Sequence, residues 1–198
     1  MDLPDKKTLE SICKAISVMD AILCQEWEFR YYSFYSKWHE ENNERCLEMR
    51  NGSGDQMLIL FSDKGCVING FVQEYEQPNK NELTKDLPEY FYEVIHGEPV
   101  ATIGTTFCFW TIDAINWQKR GKDDSGMLNI FDVNPKTYIE WAKEYFEKEE
   151  DIPLNIVEKI YIGETLTKEM VLSIVDEIED WKQLEEDMLG IGFPYCFK

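Results

Sequence analysis

The apolar residues of this chain follow two rhythms, and the change from one to the other predicts the fold. From 8 to 23, Leu9, Ile12, Cys13, Ile16, Met19, Ile22 and Leu23 recur at intervals of three and four. That spacing lines one stripe of a helix, with Thr8 placed to cap it. The run WEFRYYSFYSKW (27–38) fits either period. Its aromatic content and its lack of Ala or Leu favour a long strand. HEENNE (39–44) is a polar loop. Next come ERCLEMR, QMLILF and CVINGFVQ, three short strands joined by NGSGD and SDKG. Asn51, Gly52 and Gly54 tolerate the positive φ of a tight hairpin, and Gly65 closes the second turn. QMLILF is apolar throughout, as in a central strand covered on both faces. Gly70 suggests a bulge. Residues 27–73 thus predict a four-stranded antiparallel meander.

Further along, LPEYFYEVI (87–95) predicts a helix that Pro88 starts and Gly97 ends. TFCFWTID (106–113) and MLNIFDV (127–133) predict two more strands. Between them, 116–126 holds the basic cluster. Asn134 and Pro135 open a helix with an apolar face of Tyr138, Trp141, Ala142 and Tyr145. Residues 153–163 show no clear period. Thr167 to about Asp187 reads as helix, with a break near Asp180. GIGFPYCF reads as a packing loop. The expected fold is one α+β domain over 1–198, its antiparallel sheet built on the meander and its helices packed on one face.

Composition supports a packed core. Of 198 residues, 43% are hydrophobic and 14% aromatic, enough burial to offset the entropy of ordering. No apolar run approaches the ~20 residues of a membrane span. The first residues lack a basic start followed by an apolar block, so no secretory leader is expected. The six cysteines form no CxxC pair. In a cytoplasmic protein they read as reduced thiols, mostly buried, with Cys46 and Cys66 placed to face each other across the meander. Only His39 and His96 are available beside them, so no metal site and no cofactor are expected.

Charge narrows the partners. The formal net charge is −19, which argues against nucleic acid and against anionic membranes. Residues 140–187 hold sixteen acids against five lysines. Such an asymmetry bears on association with a basic partner. Asp176, Glu177, Glu179 and Asp180 are the candidate partner-binding residues.

Catalytic patterns are weaker. NGSGD leads into a strand rather than a helix, so it reads as a turn and not as a phosphate cradle. Asn51, Ser53 and Asp55 lack the carboxylate spacing of a calcium loop. Cys108 sits within an aromatic strand, no GxSxG occurs, and neither histidine marks a nucleophile's base. Glu48 with Glu74, or Asp113 with Asp132, offers a carboxylate pair for acid–base chemistry. The alternative function is therefore a small-molecule-binding or hydrolytic enzyme using such a pair in an aromatic cleft. No catalytic residue is assigned.

WEFRYYSFYSKW, MRNGSGDQMLILFSDKGCVINGF and DWKQLEEDMLGIGFP together resemble a family of uncharacterised bacterial proteins. These are compact, acidic and cytosolic, and are often encoded beside polymorphic toxins as immunity partners. The resemblance covers mainly 27–73 and 180–194. It implies a non-enzymatic cytoplasmic protein that occludes a basic, nuclease-type toxin. Where such proteins carry a His-Glu-Ser-like segment after the meander, this chain has Gln73-Glu74-Tyr75-Glu76, without the histidine.

Overall fold

The computed structural model describes residues 2–198, the side chain of Glu40 excepted. Its centre is a six-stranded antiparallel sheet: β1 (Tyr32–His39), β2 (Glu44–Arg50), β3 (Gln56–Ser62), β4 (Gly65–Phe71), β5 (Phe107–Thr111) and β6 (Gln118–Arg120). Spatial order equals sequence order, so every strand pairs with its neighbour in the chain. The fold is α+β, and the expected four-stranded meander forms its first part. β3 is buried on both faces, as its unbroken apolar run requires. At the Asp63–Lys64 turn, Ser62 pairs with Gly65. A Cβ on Gly65 would stand 2.2 Å from the Thr111 carbonyl oxygen, so only glycine allows β4 and β5 to approach there. Gly70 marks a close approach rather than a bulge. It pairs regularly with Met57 and Phe107, and its missing side chain makes room for the Phe107 ring.

The bulge lies in β1. Tyr35 pairs with Cys46 and His39 with Glu44, so residues 36–38 face the single Arg45. The extra residues return Trp38 to the face that carries Tyr35, where the two rings lie 5.5 Å apart.

Paired residues share a face. Phe34, Leu47, Ile59, Ile68 and Phe109 form one row toward the larger core, with α1 (Lys6–Leu23) against it. The α1 cap is Asp5 rather than Thr8. Its carboxylate accepts from the Lys7 and Thr8 amides at 3.0 and 3.1 Å, which starts the helix two residues earlier than its apolar stripe suggests. Cys46, Leu60, Val67 and Trp110 point to the opposite face. There α2 (Lys80–Leu83), α3 (Tyr92–His96) and α4 (Val100–Ile103) cover a smaller cluster. The longer helices, α1, α5 (Pro135–Tyr145), α6 (Leu154–Tyr161) and α8 (Trp181–Ile191), all contribute to the larger core. Cys46 and Cys66 fall in different clusters and do not face each other. All six thiols are free, and four are buried.

Three segments depart from the sequence reading. Trp27–Phe29 is a 3-10 turn rather than the start of β1. MLNIFDV is not a strand but contains the 3-10 turn Asn129–Phe131. Asp123 causes this, because its carboxylate accepts from the amides of Gly126, Met127 and Leu128 and winds the chain before it can extend. The sixth strand comes instead from the polar Gln118–Arg120. Finally, the expected break near Asp180 is present in 167–187 but is wider than read, covering 173–180. A short α7 (Lys168–Leu172) ends early, and α8 begins only after Asp180. α8 stops at left-handed Gly192, where the Phe193 amide returns to the Met188 carbonyl. β7 (Leu166–Thr167) and β8 (Tyr195–Cys196) then form a small parallel pair.

Candidate functional site: an acidic, aromatic surface

Local charge chemistry decides the shape of residues 24–30. Arg30 is 5% exposed. Its guanidinium donates to the Cys24 carbonyl at 2.8 Å, to the Gln25 carbonyl at 2.9 Å, and to both oxygens of Asp187 on α8 at 2.9 and 2.6 Å. A buried cation is tolerable only when its donors are satisfied and its charge is matched. This one uses its fork to fold the chain back on itself. On the other side of Arg30, the Tyr31 and Tyr32 amides donate to buried Asp20 at 3.0 and 2.8 Å. With both flanks fixed, the intervening residues project outward. Trp27 is 45% exposed and Phe29 62%.

Acids surround these rings. Glu26 and Glu28 alternate with them and are exposed. Gln25 holds the 180 loop beside the turn, since its amide donates to the Asp180 carbonyl at 2.8 Å and accepts from the Asp180 amide at 3.0 Å. Tyr145 on α5 reaches the Phe29 carbonyl at 3.4 Å and stacks on Trp141 at 5.1 Å. Trp27 is itself braced. Arg50 lies over its ring at 4.0 Å, and its indole nitrogen donates to the Tyr35 hydroxyl at 3.2 Å. Tyr35 in turn donates to Glu48 at 3.1 Å. Burial, reinforced by the Glu48 charge, pushes the Tyr35 hydroxyl up to about 12, so it remains a donor at neutral pH. Large rigid rings within a charged surround suit protein recognition more than chemistry.

The sequence-predicted residues take up unequal roles. Asp176, Glu177 and Glu179 are exposed, on the loop between α7 and α8 rather than on a helix. Asp180 is exposed too, but its carboxylate caps α8 by accepting from the Lys182 and Gln183 amides at 2.9 and 3.1 Å. The carboxylate pairs do not converge. Glu48 is engaged by Tyr35, whereas Glu74 is exposed in the turn after β4. Asp113 accepts from Asn116, Ile115 and Thr111, which hold its carboxyl well below the usual range. Asp132 accepts from Thr137 and from the Asn134 amide ahead of α5. Each carboxylate is thus consumed by its own turn. NGSGD also turns inward, because the Asn51 side chain accepts from the Ser53 and Asp55 amides. Burial pushes the Cys108 thiol up to about 12, as for a core residue. His39 pairs with Glu44 at 2.7 Å. Among the described residues, no three His, Cys, Asp or Glu side chains gather as a metal site.

Sequence reasoning missed Trp27 and Phe29 as surface residues, because their aromatic spacing also fits a strand. No local signal separates the two readings, because the alternation Glu26-Trp27-Glu28-Phe29 is also that of a half-buried strand; the long-range contacts of Arg30 decide. The chain matches no known protein-family model, no curated protein and no solved structure.

Proposed function

We propose that this protein is a non-enzymatic binding protein that occludes a basic protein partner, in the manner of the immunity proteins of polymorphic toxins. One observation carries the reading. A turn clipped at both ends presents Trp27 and Phe29 to solvent among exposed acids. Exposed aromatics on a pre-ordered backbone can become the buried anchors of an interface at little entropic cost. The surrounding acids, within a net charge of −19, raise the rate of encounter with a basic surface. Asp176, Glu177 and Glu179 extend the same field. Asp180 contributes charge, but its main work is capping α8. A cytoplasmic location accords with six free thiols, and among the described residues no helix is long and apolar enough to cross a membrane.

The test is to read the genes neighbouring this chain's for a basic toxin domain and to co-express the two; the absence of any such gene would count against the reading. Growth rescue and a complex whose association slows with added salt are expected. Replacing Trp27 and Phe29 together by Ala should weaken the complex by about a hundredfold or more. Replacing Asp176, Glu177 and Glu179 by Asn, Gln and Gln should slow association and flatten its salt dependence. Undiminished affinity in the aromatic variant would overturn the reading.

A further inference from the structure

Beyond the turn, the second face of the sheet is only partly covered. Helices α2–α4 gather with Leu58, Leu60, Val67 and Trp110, residues of β3 to β5. Over β1 and β2 the face carries half-exposed Tyr35, Trp38, Glu48 and Arg50. Between this strip and the α3–α4 segment run two concavities of about 750 and 830 Å³, and both are lined by Glu98. Trp38 and Tyr90 line the first, with Trp27 and Leu58 on the second. The β1 bulge places Trp38 there, so the aromatic strip runs from Trp27 through Tyr35 to Trp38.

Its charge and its rings say what this groove accepts. Its rim is acidic: Glu41, Glu44, Asp63 and Glu93 flank the first concavity, and Glu48 lies in the second. The cations beside them are already engaged, Arg50 over Trp27 and Lys64 over Tyr90. Lysine and arginine side chains match that rim and can lie over the rings of the strip, and an extended chain projects its side chains at regular intervals, so one segment can serve both concavities.

We propose that the groove between the Trp27–Tyr35–Trp38 strip and the α3–α4 segment binds an extended, basic polypeptide segment, with its cationic side chains set against the acidic rim. This inference rests on the reading of the protein as a binder of basic polypeptides, and names the form in which part of the partner is held.

The probe is a fluorescein-labelled octapeptide of alternating Arg and Ala, followed by anisotropy, with an octapeptide of alternating Glu and Ala as control. Saturable binding of the basic peptide alone is expected. Two variants remove equal charge from different places: Glu41→Gln with Glu93→Gln and Glu98→Gln on the rim, and Glu149→Gln with Glu150→Gln and Glu158→Gln, exposed acids away from it. The rim variant should bind roughly tenfold more weakly, as expected for three lost charge pairs, and the second variant nearly as wild type. Equal losses in the two charge variants, or no saturable binding, would overturn the groove. A protein partner that still binds through Trp27 and Phe29 while the peptide fails separates the groove from the broader function. Peptide binding without any protein partner does the reverse.

Discussion

Asp20 carries the heaviest burden of any single side chain. It is fully buried on α1. One oxygen accepts from the Tyr31 and Tyr32 amides, and the other from the Tyr138 hydroxyl at 2.7 Å. Three donors from two other elements thus converge on one carboxyl. Desolvation outweighs them and raises its pKa to about 7. A carboxyl whose folded pKa lies above its unfolded value contributes stability that is complete below the unfolded value and lost as pH rises through the folded one. Between about pH 5 and about pH 8 the wild type should therefore lose roughly 2–3 kcal/mol relative to Asp20→Asn. Asn can keep the geometry, with its oxygen accepting from the two amides and its nitrogen donating to Tyr138. Urea midpoints for both proteins across that range provide the measurement, and parallel curves would show that Asp20 does not titrate there. Asp20→Ala leaves three buried donors unmatched and should cost several kcal/mol at any pH.

At the scale of elements, much of the fold was legible and the candidate site largely was not. The meander could be read because β3 is apolar on both faces and its turns need Asn51, Gly52, Gly54 and Gly65, all local properties. The α5 cap, Asn134 before Pro135, could be read for the same reason. Two of the misread segments are shaped by distant parts of the chain that override the local pattern. Arg30 draws on Asp187, 157 positions away, to fold 24–30 into a turn. Gln118–Arg120 becomes a strand only because β5 offers a free edge, so no hydrophobic alternation announces it. Asp123 shows that even a neighbouring carboxylate can defeat an apolar run. The Arg30 clip is testable. Asp187→Ala leaves a buried guanidinium without its counter-charge and should cost about 3–5 kcal/mol. Amide exchange should rise most over 24–30 and in the first turn of α8. Exchange unchanged in 24–30 would mean that the turn holds without the clip.

For the whole molecule, net charge and topology pull in different directions. A charge of −19 on a chain of 198 residues repels itself in the compact state. Raising sodium chloride from about 0.01 M to about 0.15 M shortens the screening length from about 30 Å to about 8 Å and should raise the melting temperature by several degrees. A flat or falling melting curve over that range would show that the surface acids are locally compensated. Topology favours assembly for most of the sheet, since short loops join β1 to β4 and β5 to β6, and only the β4–β5 connection, 72–106, is long. The α1 packing is slower still. Its companions include α6 and α8 as well as β1, so during synthesis an apolar helix leaves the ribosome long before the residues that complete its cover. The sheet can form strand by strand as it emerges, yet one side of α1 stays open until the last helix is released. The newborn chain therefore exposes that apolar side for most of its translation, and a chain cut off before α8 should aggregate although all six strands of its main sheet are present.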